Sequence, residues 1–151
     1  MGILAVTKGE WPNYKVLTQV GNVSLVQDEP LIQGGLNQGP SPFDAVMMGL
    51  ASCTLITLRM YLEHKLARNI PGLDADSNQG MASLPDLEVS IAFDTDARAV
   101  KIESVRRVIT VRLHDPDQDI DPGRLLIIAN KCPVHNMLSP SMTIETTIEL
   151  N

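Results

Sequence analysis

The spacing of apolar and polar residues changes along the chain, and each change marks an element. Tyr14–Leu17 and Val23–Val26 are short β-rich runs on either side of Gly21-Asn22, a dipeptide suited to a hairpin turn. The stretch from Leu31 to Gly39 carries three glycines and reads as a loop leading into a helix. Ser41-Pro42-Phe43-Asp44 then supplies an N-cap, a proline at the first helical position and an acid at the third. From Ala45 to Leu66 there is neither proline nor turn signal, and between Ala45 and Leu58 apolar residues cover nearly the whole circumference. A helix apolar all round is expected as the buried axis of a domain or of a dimer. Past Leu58 the pattern gains a polar face with Arg59, Glu63, His64 and Lys65, which predicts a C-terminal end in solvent.

Asn69 to Leu84, with one proline, two glycines and several polar residues, predicts a surface loop. Leu87–Phe93 alternates with period two and Val105–Leu113 is rich in β-branched residues, so both are expected as strands. His114–Asp121 is an acidic turn, and a second helix opens at Asp121-Pro122 and runs to about Lys131. Pro133 interrupts it and leaves Cys132 at a helix break. Thr143–Leu150 reads as a final strand. Neither a repeat nor a linker divides these elements, so residues 1–151 are expected to form one α+β domain.

Composition narrows the function. The net charge of −6 counts against a nucleic-acid partner, because phosphate binding draws on clustered Lys and Arg. Five aromatic residues (Trp11, Tyr14, Phe43, Tyr61, Phe93) offer little to stack bases on. The longest uncharged apolar run, Ala45–Leu58, has fourteen residues, short of the roughly 20 a membrane helix needs. MGILAVTKGEW has no basic lead and no cleavage pattern, so no export signal is read and the cytoplasm is the expected compartment. Two cysteines are too few for a disulfide scaffold.

Those cysteines are nonetheless the principal candidates for chemistry. Cys53 and Cys132 are either small buried hydrophobes or a redox pair in which one thiolate is oxidised and the other resolves it. A reactive thiol needs a stabilised thiolate. Cys53 lies about 18 Å along the helix from its N-cap, beyond the reach of the helix dipole. Arg59 stands roughly 240° around the same helix from Cys53, so the cation has to come from elsewhere in the fold or from a partner chain. Cys132-Pro-Val-His135 also resembles half a zinc site, with Cys53, His64 and His114 as the remaining Cys or His ligands, and the count favours no metal. His135 is assigned a supporting position near a thiolate. The alternation Asp115, Asp117, Asp119, Asp121 lacks the glycine and glutamate of a calcium loop, which leaves a solvated turn and a helix cap. No hydrolase elbow or phosphate loop is present.

Taken together, GGLNQGPSPFDAVMMGLASCT (Gly34 to Thr54), its continuation TLRMYLEHK, and KCPVHNML (Lys131 to Leu138) resemble the OsmC/Ohr family. The resemblance implies curved antiparallel sheets around long central helices in an intertwined homodimer. It also implies a thiol peroxidase without a cofactor. In that scheme Cys53 is the peroxidatic residue, attacking an organic hydroperoxide to give the alcohol and a sulfenic acid. Cys132 is the resolving residue that closes the Cys53–Cys132 disulfide, and an external dithiol, in the family a lipoylated protein, reduces it. Residues such as Met47, Met48 and Leu50 would supply an apolar wall favouring fatty or aryl hydroperoxides. Characterised members stabilise the thiolate with an arginine from the N-terminal segment, held by a glutamate directly after the proline. Here no arginine precedes Arg59 and Phe43 stands at the glutamate position, with Lys8 and Lys15 as the cations of that segment. Two other readings keep the same fold: a non-catalytic protein holding an apolar ligand, and a thiol switch.

Overall fold

The computed structural model describes residues 2–69, 84–115 and 118–151. They divide into two compact units, residues 1–48 and 49–151. In the first, β1 (Ile3–Val6), β2 (Val16–Val20) and β3 (Val23–Gln27) form an antiparallel sheet in the order β1-β2-β3. Val20 pairs with Val23 across the predicted Gly21-Asn22 turn, and Gly21 takes the positive φ of 60° that such a turn demands.

The loop from Asp28 to Gly39 is organised by one carboxylate. Asp28 is buried and accepts the amide protons of Glu29, Leu36 and Gln38 at 2.8, 3.0 and 3.2 Å. Desolvation pushes this carboxyl up, but the three amides and the charge of Lys15 outweigh it and hold the group below its usual range. Gly35 allows the return past Glu29: a Cβ there would lie 1.8 Å from the Glu29 carbonyl oxygen. Lys8 and Lys15, the cations of this segment, both lie against the Trp11 ring, each 5.5 Å from its centroid.

The long helix α1 spans Pro42–Asn69. Its start is the reciprocal cap that the sequence predicts. The Asp44 amide donates to Ser41 Oγ at 3.1 Å, while the Ser41 amide and hydroxyl donate to Asp44 Oδ2 at 2.9 and 2.7 Å. Asp44→Ala removes the acceptor of both and is expected to cost ~1 kcal/mol, read as a lower urea midpoint with an unchanged slope.

In the second unit, β4 (Asp86–Thr95), β5 (Ile102–Arg112) and β6 (Thr143–Leu150) form a sheet in that order. β4 and β5 are antiparallel, but β6 runs parallel to β5, so the expectation of antiparallel sheets throughout is corrected. The physical reason is the connection. A tight hairpin returns the chain antiparallel, whereas two helices, α2 (Pro122–Ala129) and α3 (Pro133–Leu138), intervene between β5 and β6 and carry the chain back to run alongside. Asp121 caps α2 by accepting from the Gly123 amide at 2.9 Å. Pro133 ends the first helical run and also opens the next: Cys132 is the N-cap of α3 and Pro133 its first residue. The expected loop at Asn69–Leu84 lies, from 70 to 83, outside the described residues, as does Asp117.

The core of the second unit gathers Leu58 and Leu62 of α1 with Leu84, Ile109, Val111, Leu125 and Ala129. Leu50, Thr54, Leu58 and Leu62 form the buried stripe of α1 at intervals of four residues, the spacing that keeps side chains on one helix face. The opposite positions are not covered: Ile56 is 60% and Met60 64% exposed. Among the described residues, then, α1 is buried along this stripe and bare at Ile56 and Met60. Of the expected apolar wall, Met47 and Leu50 are buried and Met48 is exposed. By length and composition alone, Pro42–Lys65 is long and apolar enough to cross a membrane. The uncharged run is shorter, and the buried stripe is that of a core helix.

Candidate functional site

Three segments distant in sequence bring the site together. Cys53 and Thr54 come from the middle of α1, Cys132 and His135 from the start of α3, and Arg107 from the centre of β5. The Cys53 and Cys132 thiols come within hydrogen-bonding reach of one another. Cys132 is fully buried and Cys53 half-buried.

Arg107 is the residue that sequence reading passed over. It is 1% exposed, the largest fully buried side chain among the described residues. On β5, Val105, Arg107, Ile109 and Val111 all point inward while Arg106 and Arg112 reach solvent. The alternation is the signal that finds it: Arg107 is in phase with three buried aliphatics, and Arg106 is not.

Its guanidinium is satisfied by neutral acceptors. Nη1 donates to Thr54 Oγ1 at 2.8 Å and to the Ala129 carbonyl at 3.5 Å. Nη2 donates to Asn130 Oδ1 and Thr146 Oγ1, both at 2.8 Å, and approaches His135 Nδ1 at 3.4 Å. Nε donates to Thr146 at 3.1 Å. Thr146 is its register partner on β6, which places the hydroxyl directly beside the guanidinium plane. Ala129 and Asn130 end α2, so the negative end of that helix faces the cation. Among the described residues no carboxylate pairs with Arg107. Burial disfavours its charge, and a negative charge on Cys132 would favour it.

The thiols sit in unequal surroundings. Burial pushes Cys132 up, yet the Cys53 thiol, the amides of His135 and Val134 and the Thr54 hydroxyl more than compensate and hold it below the ordinary thiol range. The two amides face the sulfur without closing a regular helix cap. Cys53 goes the other way: burial and the adjacent Cys132 raise it, against the smaller help of the Val134 amide and the Thr57 hydroxyl. His135 is kept neutral, first by burial and then by the charge of Arg107, so Nδ1 accepts from Nη2. The same ring lines an open groove of about 460 Å³ with Lys101, Glu103, Ser139 and Thr143.

The other candidates lie apart from this chemistry. Arg59 pairs with Glu63 at 2.7 Å on the surface, and His114 meets Asp86 at 3.1 Å, also exposed. His64 is exposed. Among the described residues no three His, Cys, Asp or Glu side chains converge to hold a metal ion.

The comparisons with known proteins agree with this architecture. An OsmC-like protein from Mycoplasma pneumoniae superposes with a TM-score of 0.68 at 16% identity, over 99% of this chain and 95% of the other. An organic hydroperoxide resistance protein OsmC from Legionella pneumophila gives 0.60 at 18% identity, over 99% and 97%. The organic hydroperoxide resistance protein OhrB of Bacillus subtilis gives 0.57 at 17% identity, over 100% and 98%. A search of curated proteins finds no match. At these identities the superpositions establish the fold. The sequence profile of the OsmC-like protein family matches residues 35–147, from the glycine-rich approach to α1 through to β6, and the chain therefore belongs to the OsmC-like family.

Proposed function

We propose that this chain is a thiol-based reductase of organic hydroperoxides, with Cys53 as the peroxidatic and Cys132 as the resolving residue. The observation that carries the proposal is the approach of these two thiols, from opposite ends of the second unit, to within hydrogen-bonding reach, beside a buried cation. Solved structures of the same fold carry the name organic hydroperoxide resistance protein. In the proposed cycle the Cys53 sulfur attacks the distal peroxide oxygen, the O–O bond breaks, and the alcohol leaves. Cys132 then attacks the Cys53 sulfenic acid, an S–S bond forms, and water leaves. An external dithiol, such as a lipoylated protein, returns the pair to its reduced state. The half-buried position of Cys53 against the full burial of Cys132 favours this division of roles, because the peroxide has to reach the attacking sulfur first.

The proposal includes a cytoplasmic homodimer. Ile56 and Met60 stand bare on the helix, as residues awaiting a second copy do.

The test is a brief exposure of reduced protein to cumene hydroperoxide, followed by thiol counting and intact-mass measurement. The wild type is expected to lose both thiols to an internal disulfide, and Cys132→Ser to stop as a Cys53 sulfenic acid. If both thiols stay reduced under excess hydroperoxide while the protein remains folded, the reading is wrong. The fold would then be serving as a scaffold for an apolar ligand.

A further inference from the structure

A buried arginine whose partners are all neutral is costly to keep, because removing a guanidinium from water costs several kcal/mol even after relaxation. Arg107 is such a residue: it is 1% exposed, and among the described residues no carboxylate meets it. What its fork does meet is chain on both sides of the thiol pair.

We infer that Arg107 is a positioning residue for disulfide closure: its planar guanidinium ties the α1 segment that carries Cys53 to the α2–α3 segment that carries Cys132, and so fixes the separation across which the S–S bond forms. The inference rests on the proposed pairing of the two cysteines and deepens it, by assigning what holds them in place.

The hydrogen bonds trace the tie atom by atom. Thr54 directly follows Cys53 on α1, and its Oγ1 accepts from Arg107 Nη1 at 2.8 Å. The same hydroxyl donates to the Leu50 carbonyl at 2.7 Å, so it is held from both sides. Nη1 also donates to the Ala129 carbonyl at 3.5 Å, and that carbonyl accepts the Cys132 amide proton at 3.2 Å. One nitrogen therefore joins the neighbour of the first cysteine to the carbonyl that anchors the backbone of the second. Nη2 donates to Asn130 Oδ1 at 2.8 Å and meets His135 Nδ1 at 3.4 Å, so its partners bracket Cys132 in the chain. On β6, Thr146 Oγ1 accepts from Nε and Nη2 at 3.1 and 2.8 Å, which keeps the fork in one orientation. A lysine could carry the same charge, but a compact ammonium on a flexible stem cannot span acceptors on α1, α2, α3 and β6 together.

Disulfide chemistry is sensitive to such a tie, because the bond tolerates only a narrow range of separations and dihedral angles. In closure the Cys132 sulfur bonds to the Cys53 sulfur of the sulfenic acid, the S–O bond breaks, and the thiol proton leaves with the hydroxyl as water. Arg107 is not consumed. Its contribution is pre-organisation, which presents each sulfur to the other at a high effective concentration.

The test equilibrates the whole chain with glutathione buffers of set composition and counts disulfide and dithiol by alkylation and intact mass. In this exchange the two protein thiols give up two electrons and two protons, the S–S bond of oxidised glutathione breaks, and two glutathione thiols form. Arg107→Lys keeps the charge and loses the fork. It is expected to lower the disulfide-to-dithiol ratio at a fixed buffer by about tenfold or more, equivalent to about 30 mV for a two-electron couple. Thr54→Val and Asn130→Ala each remove one arm and are expected to lower the ratio by about threefold, the scale of one hydrogen bond. Leu84→Ala takes contacts from the core and none from this network, so it is expected to lower the urea midpoint and leave the ratio in the folded protein unchanged. A ratio that Arg107→Lys preserves in a folded protein overturns the inference, and so does one that Leu84→Ala lowers equally. If Arg107→Lys does not fold, the two single-arm variants decide, and an unmoved ratio in both overturns it. A wild type that forms no Cys53–Cys132 disulfide overturns it as well. No peroxide enters the measurement. A chain inert to hydroperoxide can therefore still show the Arg107 effect, and a working peroxidase whose disulfide is indifferent to Arg107→Lys keeps its function and loses this inference.

Discussion

Cys53→Ser is expected to bring the reduction of organic hydroperoxide down by at least about three orders of magnitude, the scale on which enzymes lose rate with their nucleophile. Nothing else in the site replaces that sulfur. Cys132 is fully buried at the N-cap of α3. Cys132→Ser is expected to behave differently. It still makes one sulfenic acid per chain and then stops. Following alcohol release in single-turnover and steady-state modes separates the two variants. A Cys53→Ser protein that retains steady turnover would transfer the peroxidatic role to Cys132 and reverse the assignment.

The largest effect on stability is expected from Leu58→Ala. Leu58 is fully buried on the α1 stripe and meets Ile109 and Val111 of the sheet and Leu125 of α2 within one core cluster. Truncation leaves a cavity at the place where helix and sheet meet. Its cost is about 2–5 kcal/mol, a large share of what a domain of this size has in reserve. Urea unfolding would show it as a lower midpoint with the slope preserved. Ile56→Ala, two residues earlier on the bare face, is expected to leave the unfolding of an isolated chain almost unchanged. If Leu58→Ala costs no more than Ile56→Ala, the core lies elsewhere than described.

The two predictions concern opposite sides of one helix, and that division explains how far sequence could be read. The limits of α1 were legible because they are local chemistry: Ser41, Pro42 and Asp44 satisfy the helix start by themselves. The turn at Gly21, the cap at Asp121 and the alternation of β4 are local in the same sense. Which face of α1 is buried was not legible, because Ala45–Leu58 is apolar all round and periodicity has no contrast to work with. Packing chose Leu50, Thr54, Leu58 and Leu62. The direction of β6 was hidden for another reason. Its alternation is the same whether it runs parallel or antiparallel to its neighbour, and the helical crossover decides.

The site divides along the same line. Its two cysteines stand in recognisable motifs, and sequence nominated both. The resemblance places a cation in the N-terminal segment, where Lys8 and Lys15 lie against Trp11, and helix geometry asks only that it come from elsewhere in the fold or from a partner chain. A buried arginine was present on β5, one residue from a surface arginine, and only the phase of the strand tells them apart. What the sequence determined by itself is therefore the set of elements and the pair of thiols, because caps, turns, periodicity and residue type act over a few neighbouring positions. What only the tertiary structure decided is the surroundings of those thiols: a buried Arg107 from β5, Thr54 from α1 and the amides of Val134 and His135 from α3 lie far apart in sequence and meet only after the chain has folded.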